Sequence, residues 1–192
     1  SNFINPIVVD DDTNFTGNGQ EYELKIKVLR ASDYFVESSE VSDKVTTDLI
    51  TPAAIITNSI SGSDATDGDG NLALQFKWDD SNMSNSLYES KYYFKLTRTN
   101  PQATDVIYEA SSSGLITDFL NGTDKGKVIF RGNNYTDTNT TSKLTVQNTA
   151  EFTGNGAVYQ LEIYVYNAAD TASPATIKSA TQSGTVTTDL IT

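Results

Sequence analysis

The chain has 192 residues, of which 37% are hydrophobic and 20% charged, and its net charge of −12 gives a pI near 4.2. Such an acidic surface repels nucleic acid and anionic lipid, which argues against nucleic-acid binding. The chain contains neither Cys nor His, which excludes disulfide bonds, thiolate and zinc chemistry, and acid–base catalysis by histidine.

One stretch of sequence occurs twice. Residues 15–19 read Phe-Thr-Gly-Asn-Gly and return as residues 152–156, and each is followed by alternating apolar residues. Both stretches close on Val-Thr-Thr-Asp-Leu-Ile-Thr, at 45–51 and 186–192. The offset is 137 residues at the first landmark (152 − 15) and 141 at the second (186 − 45). The sequence therefore predicts a tandem repeat of about 140 residues, with four residues gained or lost between the copies.

The repeat predicts how the chain is divided. We expect residues 1–51 to be the last strands of one copy and residues 52–192 to be one complete copy. A copy of that length can bury its own core. Pro52 suits the boundary because proline cannot continue a strand ladder.

Alternation of apolar and polar residues predicts strands along the chain, and no stretch sustains a helical period. We expect strands at 22–28, 34–47, 53–60, 72–78, 92–98, 106–110, 127–130, 143–147, 158–166 and 175–188. The strand at 34–47 should pair with the one at 22–28, and that at 106–110 with 92–98. Residues 62–70 are rich in Gly and Asp and are expected to form a loop. Residues 115–120 fit either a helical turn or a strand. The predicted fold class is all-β.

Two strands carry a family resemblance. Leu72-x-Leu74-x-Phe76-x-Trp78 resembles strand B of a fibronectin type III domain, which ends in its core tryptophan. The strand from Tyr159 to Ala168 resembles strand F, with Tyr159 at the position of the tyrosine corner. Ser173-Pro174 and the closing segment resemble the strand G region. The resemblance implies immunoglobulin-like, fibronectin type III-like β-sandwich repeats in tandem, as in large extracellular adhesins or surface fibres.

Two features depart from that family. The copy is longer than is usual, with about 30 extra residues at 111–141 that we interpret as an insertion. Phe152 also lies one place further from Tyr159 than the leucine that is usual there.

The strongest candidate site is an acidic stretch between two predicted strands. Asp64, Asp67, Asp69 and Asn71 offer closely spaced oxygens on a glycine-turned loop, which is the chemistry that Ca²⁺ prefers. The stretch lacks the twelfth-position Glu of an EF-hand. It predicts a calcium site, and the alternative is a solvated acidic turn.

Other candidate positions are weaker. Asn-x-Ser/Thr sequons, which are glycosylation candidates, occur at Asn14, Asn82, Asn121, Asn134 and Asn139. If the host glycosylates, residues 121–141 are the expected coated face, although the composition also produces sequons by chance. Tyr164 and Tyr166 are expected to be exposed, where they could stack on sugars or line a protein contact. For both tyrosines, the alternative is packing against neighbouring strands.

The patterns favour a structural function. We expect a repeat module of an extracellular, cell-surface adhesin or fibre, acting as a rigid spacer or filament building block. The alternative is a carbohydrate- or protein-binding module presenting loops 79–90 and 111–141, which would also suit an accessory domain of a secreted enzyme. No catalytic constellation is found, so we expect no enzymatic activity of the chain itself.

The same hypotheses name the partners. We expect neighbouring copies of the repeat, or other chains, to associate by strand complementation. The alternative function implies a glycan or protein ligand. Calcium is the one cofactor that the residues suggest. No signal peptide and no apolar run of 18 residues occurs, so direct insertion into a membrane is not expected.

Overall fold

The computed structural model describes residues 17–30, 39–83, 89–101, 105–120, 125–140, 142, 144–147 and 152–189. The chain divides into two compact units, residues 1–50 and 51–192. Strands and two short 3₁₀ turns are the regular elements of the described ranges, which confirms the all-β class. Within these ranges no helix has the length and apolar character needed to cross a membrane.

The described residues of the first unit form one antiparallel hairpin. Its strands are β1 (Glu21–Ile26) and β2 (Val41–Thr46), with Tyr22 opposite Val45. The predicted pairing of these two segments is confirmed. The start of the predicted second strand, residues 34–38, lies outside the described residues.

The described residues of the second unit form eight strands in two sheets. They are β3 (Ser61–Thr66), β4 (Leu72–Lys77), β5 (Ser90–Asn100), β6 (Asp105–Ser111), β7 (Lys127–Arg131), β8 (Thr145–Gln147), β9 (Val158–Asn167) and β10 (Gln182–Thr187). The strand orders are β10-β9-β5-β6 and β3-β4-β7-β8. Every pair is antiparallel except β7–β8. The 3₁₀ turns cover Ile116–Asp118 and Thr138–Thr140.

One apolar core lies between the two sheets. β4, β5 and β9 each direct alternate side chains inward, and the fully buried ones include Leu74, Phe76, Phe94, Leu96, Leu161 and Ile163. Rings from the two sheets meet edge to face, as in Phe94 and Phe130, whose centroids are 6.4 Å apart. Each such side chain contributes roughly 1.5–3 kcal/mol by its burial. Two sheets around a single core are the arrangement of a β-sandwich.

The first strand of the sandwich differs from the prediction. Residues 53–60 form no strand, because a turn interrupts them: Asn58 has φ +59° and Ser59 N donates to Ile56 O at 3.2 Å. The strand lies instead at Ser61–Thr66, within the stretch expected to be a loop. β3 is an edge strand that pairs with β4 through its backbone, so it can form without apolar alternation.

Part of the segment 111–141, expected to be an insertion, contributes to the core of the sandwich. Its strand β7 lies between β4 and β8, and Val128, Ile129 and Phe130 are buried. The ambiguous stretch 115–120 contains the 3₁₀ turn at Ile116–Asp118.

The last predicted strand is shorter than expected. The regular strand is confined to β10. Before it, Lys178 forms an isolated bridge to Tyr166 of β9, and Asp170 accepts backbone hydrogen bonds from Thr176 and Ile177.

Candidate functional site

The two copies of the repeated stretch form the same hairpin in the same register. Opposite residues in β1–β2 have counterparts in β9–β10, namely Tyr22–Val45 with Tyr159–Val186 and Leu24–Asp43 with Leu161–Gly184. These correspondences follow the offsets of 137 and 141 that the sequence shows. The four-residue difference therefore lies in the connection between the strands.

The Asn-Gly pair of the repeated turn has the same backbone conformation in both copies. Its Asn and Gly adopt left-handed conformations, with φ +70° at Asn18, +76° at Gly19, +62° at Asn155 and +81° at Gly156. Asn and Gly are the residues that enter this region at low cost, which explains why this dipeptide occurs at the turn.

The segment that leaves each hairpin is hydrogen-bonded back to the turn. Two backbone bonds do this in the first copy, Asn18 N to Asp48 O (3.1 Å) and Thr47 N to Gln20 O (3.0 Å), and both have counterparts in the second, Asn155 N to Asp189 O (2.9 Å) and Thr188 N to Ala157 O (2.9 Å). The second copy adds a bond from Gly156 N to Thr188 O at 3.1 Å. We call residues 46–51 and 187–192 the exit segments, of which 190–192 lie outside the described residues. The start of each exit segment is therefore fixed to its own hairpin.

Asp64 holds the second exit segment from the other sheet. Its Oδ2 accepts a hydrogen bond from Asp189 N at 2.9 Å, although 125 residues separate the two. Asp64 lies on β3, so this bond joins the end of the repeat to its first strand. The sequence contains no local signal for this contact.

The same apolar positions are exposed in one copy and buried in the other. The exposed fraction is 64% at Leu24, 56% at Ile26 and 63% at Val45, against 0% at Leu161, 0% at Ile163 and 4% at Val186. Since the register is identical, the difference comes from what covers each hairpin. In the second unit the cover is the rest of the sandwich.

The acidic stretch predicted as a calcium site forms a tight turn around Asp67. Its Oδ1 accepts from the N–H groups of Asp69 (3.0 Å) and Asn71 (2.9 Å), and its Oδ2 from Thr136 N (3.0 Å). Burial raises the pKa of Asp67, but the Asn71 side-chain bond and these backbone bonds outweigh it and lower the pKa to about 2. Asp67 therefore anchors the turn to the Thr136 loop.

The four predicted ligands do not gather at one point. Asp64 lies on β3, whereas Asp67, Asp69 and Asn71 lie on the turn between β3 and β4. Across the ranges that the structure describes, no three acidic side chains converge as metal ligands. Calcium binding at this stretch remains a prediction.

Three of the five sequon asparagines are described. Asn82 donates from its side chain to Ala54 O at 2.6 Å, while Asn134 and Asn139 are exposed near the 3₁₀ turn. Asn14 and Asn121 lie outside the described residues. Glycosylation of any of them remains a prediction.

Tyrosines form a cluster on the outer face of the sheet that contains β5 and β9. Tyr93 and Tyr164 are cross-strand partners whose rings stack at 4.6 Å, and Lys178 Nζ lies 4.4 Å from the Tyr164 centroid. Tyr93 also donates to Glu109 Oε1 at 2.6 Å. Burial is the main cause that raises the pKa of Tyr93 and of Tyr164. Tyr164, expected to be exposed, is 8% exposed because Tyr93 and Lys178 cover it.

The cluster borders a small depression. It has a volume of about 190 Å³, and both lysines and glutamates line it beside the tyrosines: Lys95, Glu109, Glu162 and Lys178. That volume equals about six water molecules of liquid.

The described start of loop 79–90 is exposed at some positions and buried at others. Asp80 and Met83 are buried, and Asp80 Oδ1 lies 3.4 Å from Lys125 Nζ. Burial raises the pKa of Asp80, and the charge of Lys125 opposes that shift. Residues 84–88 of this loop lie outside the described residues.

Two glycines that the sequence analysis did not single out bring β3 and β10 together. A Cβ at Gly184 would lie 2.4 Å from Ile60 Cγ2 and 2.8 Å from Ile60 O, and one at Gly62 would lie 2.7 Å from Val186 Cβ. The sheets therefore approach closely only because both side chains are absent. The sequence signal for this close approach is a difference between the two copies: Asp43 occupies the position in the first copy that Gly184 occupies in the second.

No family model matches the chain, and a search of curated proteins finds none that is similar to it.

Proposed function

We propose that the chain is a structural repeat module of an extracellular, cell-surface adhesin or fibre, acting as a rigid spacer or filament building block. The observation that carries this proposal is the exit segment, which is hydrogen-bonded to its hairpin in the same way in both copies. A connection fixed at its start limits the directions in which a following unit can point. Rigid rods require this, whereas glycine- and serine-rich linkers behave as flexible coils.

The strand order supports an immunoglobulin-like type for each repeat. If β3, β4 and β7 are strands A, B and E, and β5, β9 and β10 are C, F and G, then ABE and GFC lie on separate sheets as in that fold. β6 then lies beside β5 in the place of a C′ strand.

A tyrosine corner supports the fibronectin type III subtype. The Tyr159 hydroxyl accepts a hydrogen bond from Thr153 N at 2.7 Å, six residues upstream, and the tyrosine ring is buried. The single Trp78 packs edge to face on Tyr92, with ring centroids 5.3 Å apart. The extracellular location follows from the resemblance alone.

Small-angle scattering of concatenated repeats tests the rod. Chains with one, two and four copies of residues 52–192 should show a maximum dimension that grows by equal steps. Each step should be at least on the order of 35 Å, the length of the ten-residue β9 at about 3.4 Å per residue. As a control, residues 189–192 are replaced by glycine and serine, which should shorten the four-copy chain. If the four-copy chain has the same maximum dimension with the native exit segment as with the glycine and serine replacement, the rigid-spacer proposal is overturned.

The second candidate function is a binding module. The depression beside Tyr93 favours it, because aromatic surface combined with a few polar groups is typical of ligand sites. Loops 79–90 and 111–141 favour it less, since parts of both are buried. On a glycan array, the binding module requires reproducible hits that disappear in Tyr93→Ala and persist in Asn139→Ala. An array without such hits contradicts it.

A further inference from the structure

The repeated turn carries a chemically labile pair in each copy, Asn18-Gly19 and Asn155-Gly156. Asparagine is a thermally labile residue, and it is most labile before glycine, because a residue without Cβ lets its backbone nitrogen approach the asparagine side chain. Both pairs follow the same Phe-Thr-Gly sequence. The local sequence therefore gives the two asparagines the same intrinsic reactivity, and any difference between them comes from the fold.

The reaction is an attack by the glycine nitrogen on the side chain of the preceding asparagine. The nitrogen loses its proton and bonds to Cγ, and the side-chain amide leaves as ammonia, which closes a succinimide ring. Water then opens the ring at either carbonyl and yields aspartate or isoaspartate. Nothing is oxidised or reduced, and water is the only co-reactant. The first step depends on how the glycine N–H and the asparagine Oδ1 are hydrogen-bonded.

The glycine N–H is bonded in the second copy and free in the first. Gly156 N donates to Thr188 O at 3.1 Å. Among the described residues, Gly19 N has no hydrogen-bond partner. The corresponding threonine of the first copy, Thr47, instead accepts through its hydroxyl from Gln20 N at 3.0 Å. Attack by Gly156 must therefore break a hydrogen bond that attack by Gly19 does not.

The side-chain carbonyl of Asn18 also faces a backbone donor. Ile50 N donates to Asn18 Oδ1 at 3.2 Å. Negative charge develops on this oxygen as the glycine nitrogen adds to Cγ, so an N–H group already aimed at it stabilises the transition state. Residue 191, the counterpart of Ile50, lies outside the described residues. In the first copy, the free nucleophile and the polarised carbonyl both favour the reaction.

We propose that Asn18 is a site of spontaneous deamidation in the folded chain, and that the fold protects Asn155 in the same sequence. Conversion replaces a neutral amide by a carboxylate. As isoaspartate it also adds a methylene to the main chain, next to the bond from Asn18 N to Asp48 O that fixes the exit segment. Deamidation therefore loosens the start of the first exit segment. The reaction needs only the turn, so it holds whether or not the chain is a spacer.

The test incubates the full 192-residue chain in mildly alkaline buffer and follows both sites by peptide mapping with mass spectrometry. The maps separate asparagine, aspartate and isoaspartate at each position. Asn18 should convert faster than Asn155 by about two- to tenfold, which is the rate equivalent of one hydrogen bond. In urea that unfolds the chain the two rates should become equal, because the flanking sequence is shared.

A pair of variants tests the donor to Asn18. Ile50→Pro removes the N–H group and should slow conversion of Asn18, whereas Ile50→Ala keeps it and should match wild type. The proposal is overturned if Asn18 stays intact in the folded chain or converts no faster than Asn155. It is also overturned if the folded ratio persists in urea, or if Ile50→Pro converts Asn18 as fast as Ile50→Ala does.

Discussion

Replacing Tyr159 by phenylalanine removes one hydroxyl from the core while keeping the ring. The change leaves the N–H of Thr153, now bonded at 2.7 Å, without its acceptor, and the ring packing against Phe152 at 5.5 Å stays. This hydrogen bond is part-buried and Thr153 itself is exposed, so its loss costs about 0.5–1.5 kcal/mol, the net contribution of a typical hydrogen bond. We therefore expect Tyr159→Phe to lower the free energy of unfolding of the second unit by that amount.

Urea denaturation followed by tryptophan fluorescence measures this loss. Trp78 is the only tryptophan and is buried in the sandwich core, so its emission reports the unfolding of the second unit. With a slope of about 2 kcal/mol per molar urea, the midpoint should fall by roughly 0.25–0.75 M. The slope itself should not change, because the native fold is kept.

Tyr166→Phe is the matched control. Its hydroxyl donates to Ser111 Oγ at 2.9 Å in an exposed position, so its loss should cost no more than about 0.5 kcal/mol. A Tyr159→Phe midpoint no lower than that of Tyr166→Phe would refute the tyrosine corner as a stabilising element of this fold.

Three other outcomes are expected. The pKa of Asp67 is lowered from 3.8 to about 2 in the folded protein, so the ionised carboxylate stabilises the fold fully above pH 4 and this contribution is lost as the pH falls towards 2. Asp67→Asn should remove this acid dependence from the unfolding midpoint. Gly126→Ala should lower the free energy of unfolding by at least about 2 kcal/mol, because φ is +60° and the new Cβ would lie 2.3 Å from Trp78 O. Gly68→Ala is the control: its new Cβ meets no atom within 4 Å, so it should leave the midpoint of the same urea titration unchanged. If residues 64–71 bind calcium, adding EDTA should lower the Tm by several degrees. An unchanged Tm contradicts calcium binding.

The strands with the clearest alternation were predictable from the sequence. β4, β5 and β9 each bury one face in the core, and that burial imposes a period of two on their side chains. β3 was missed because an edge strand of Ser, Gly, Asp and Thr leaves no such pattern. Its pairing depends on backbone groups, which every residue supplies.

The candidate site was predictable in part. The repeated turn and exit segment were visible because two copies could be aligned, and Asn-Gly indicates a left-handed turn. The bond from Asp189 to Asp64 was not, since it joins positions 125 residues apart through a single backbone N–H. Asp64 and Asp67 looked like metal ligands by composition, and their hydrogen bonds to N–H groups appear only in three dimensions.

The central claim is that one hairpin occurs twice, once inside a sandwich and once without that cover. Amide hydrogen exchange on the unmodified chain tests it most directly, because Leu24 and Leu161, and Ile26 and Ile163, have identical ladder positions. We expect Leu161 and Ile163 to exchange more slowly than Leu24 and Ile26 by roughly a thousandfold or more, since core strands open only with global unfolding. Equal protection of the two hairpins would contradict the account.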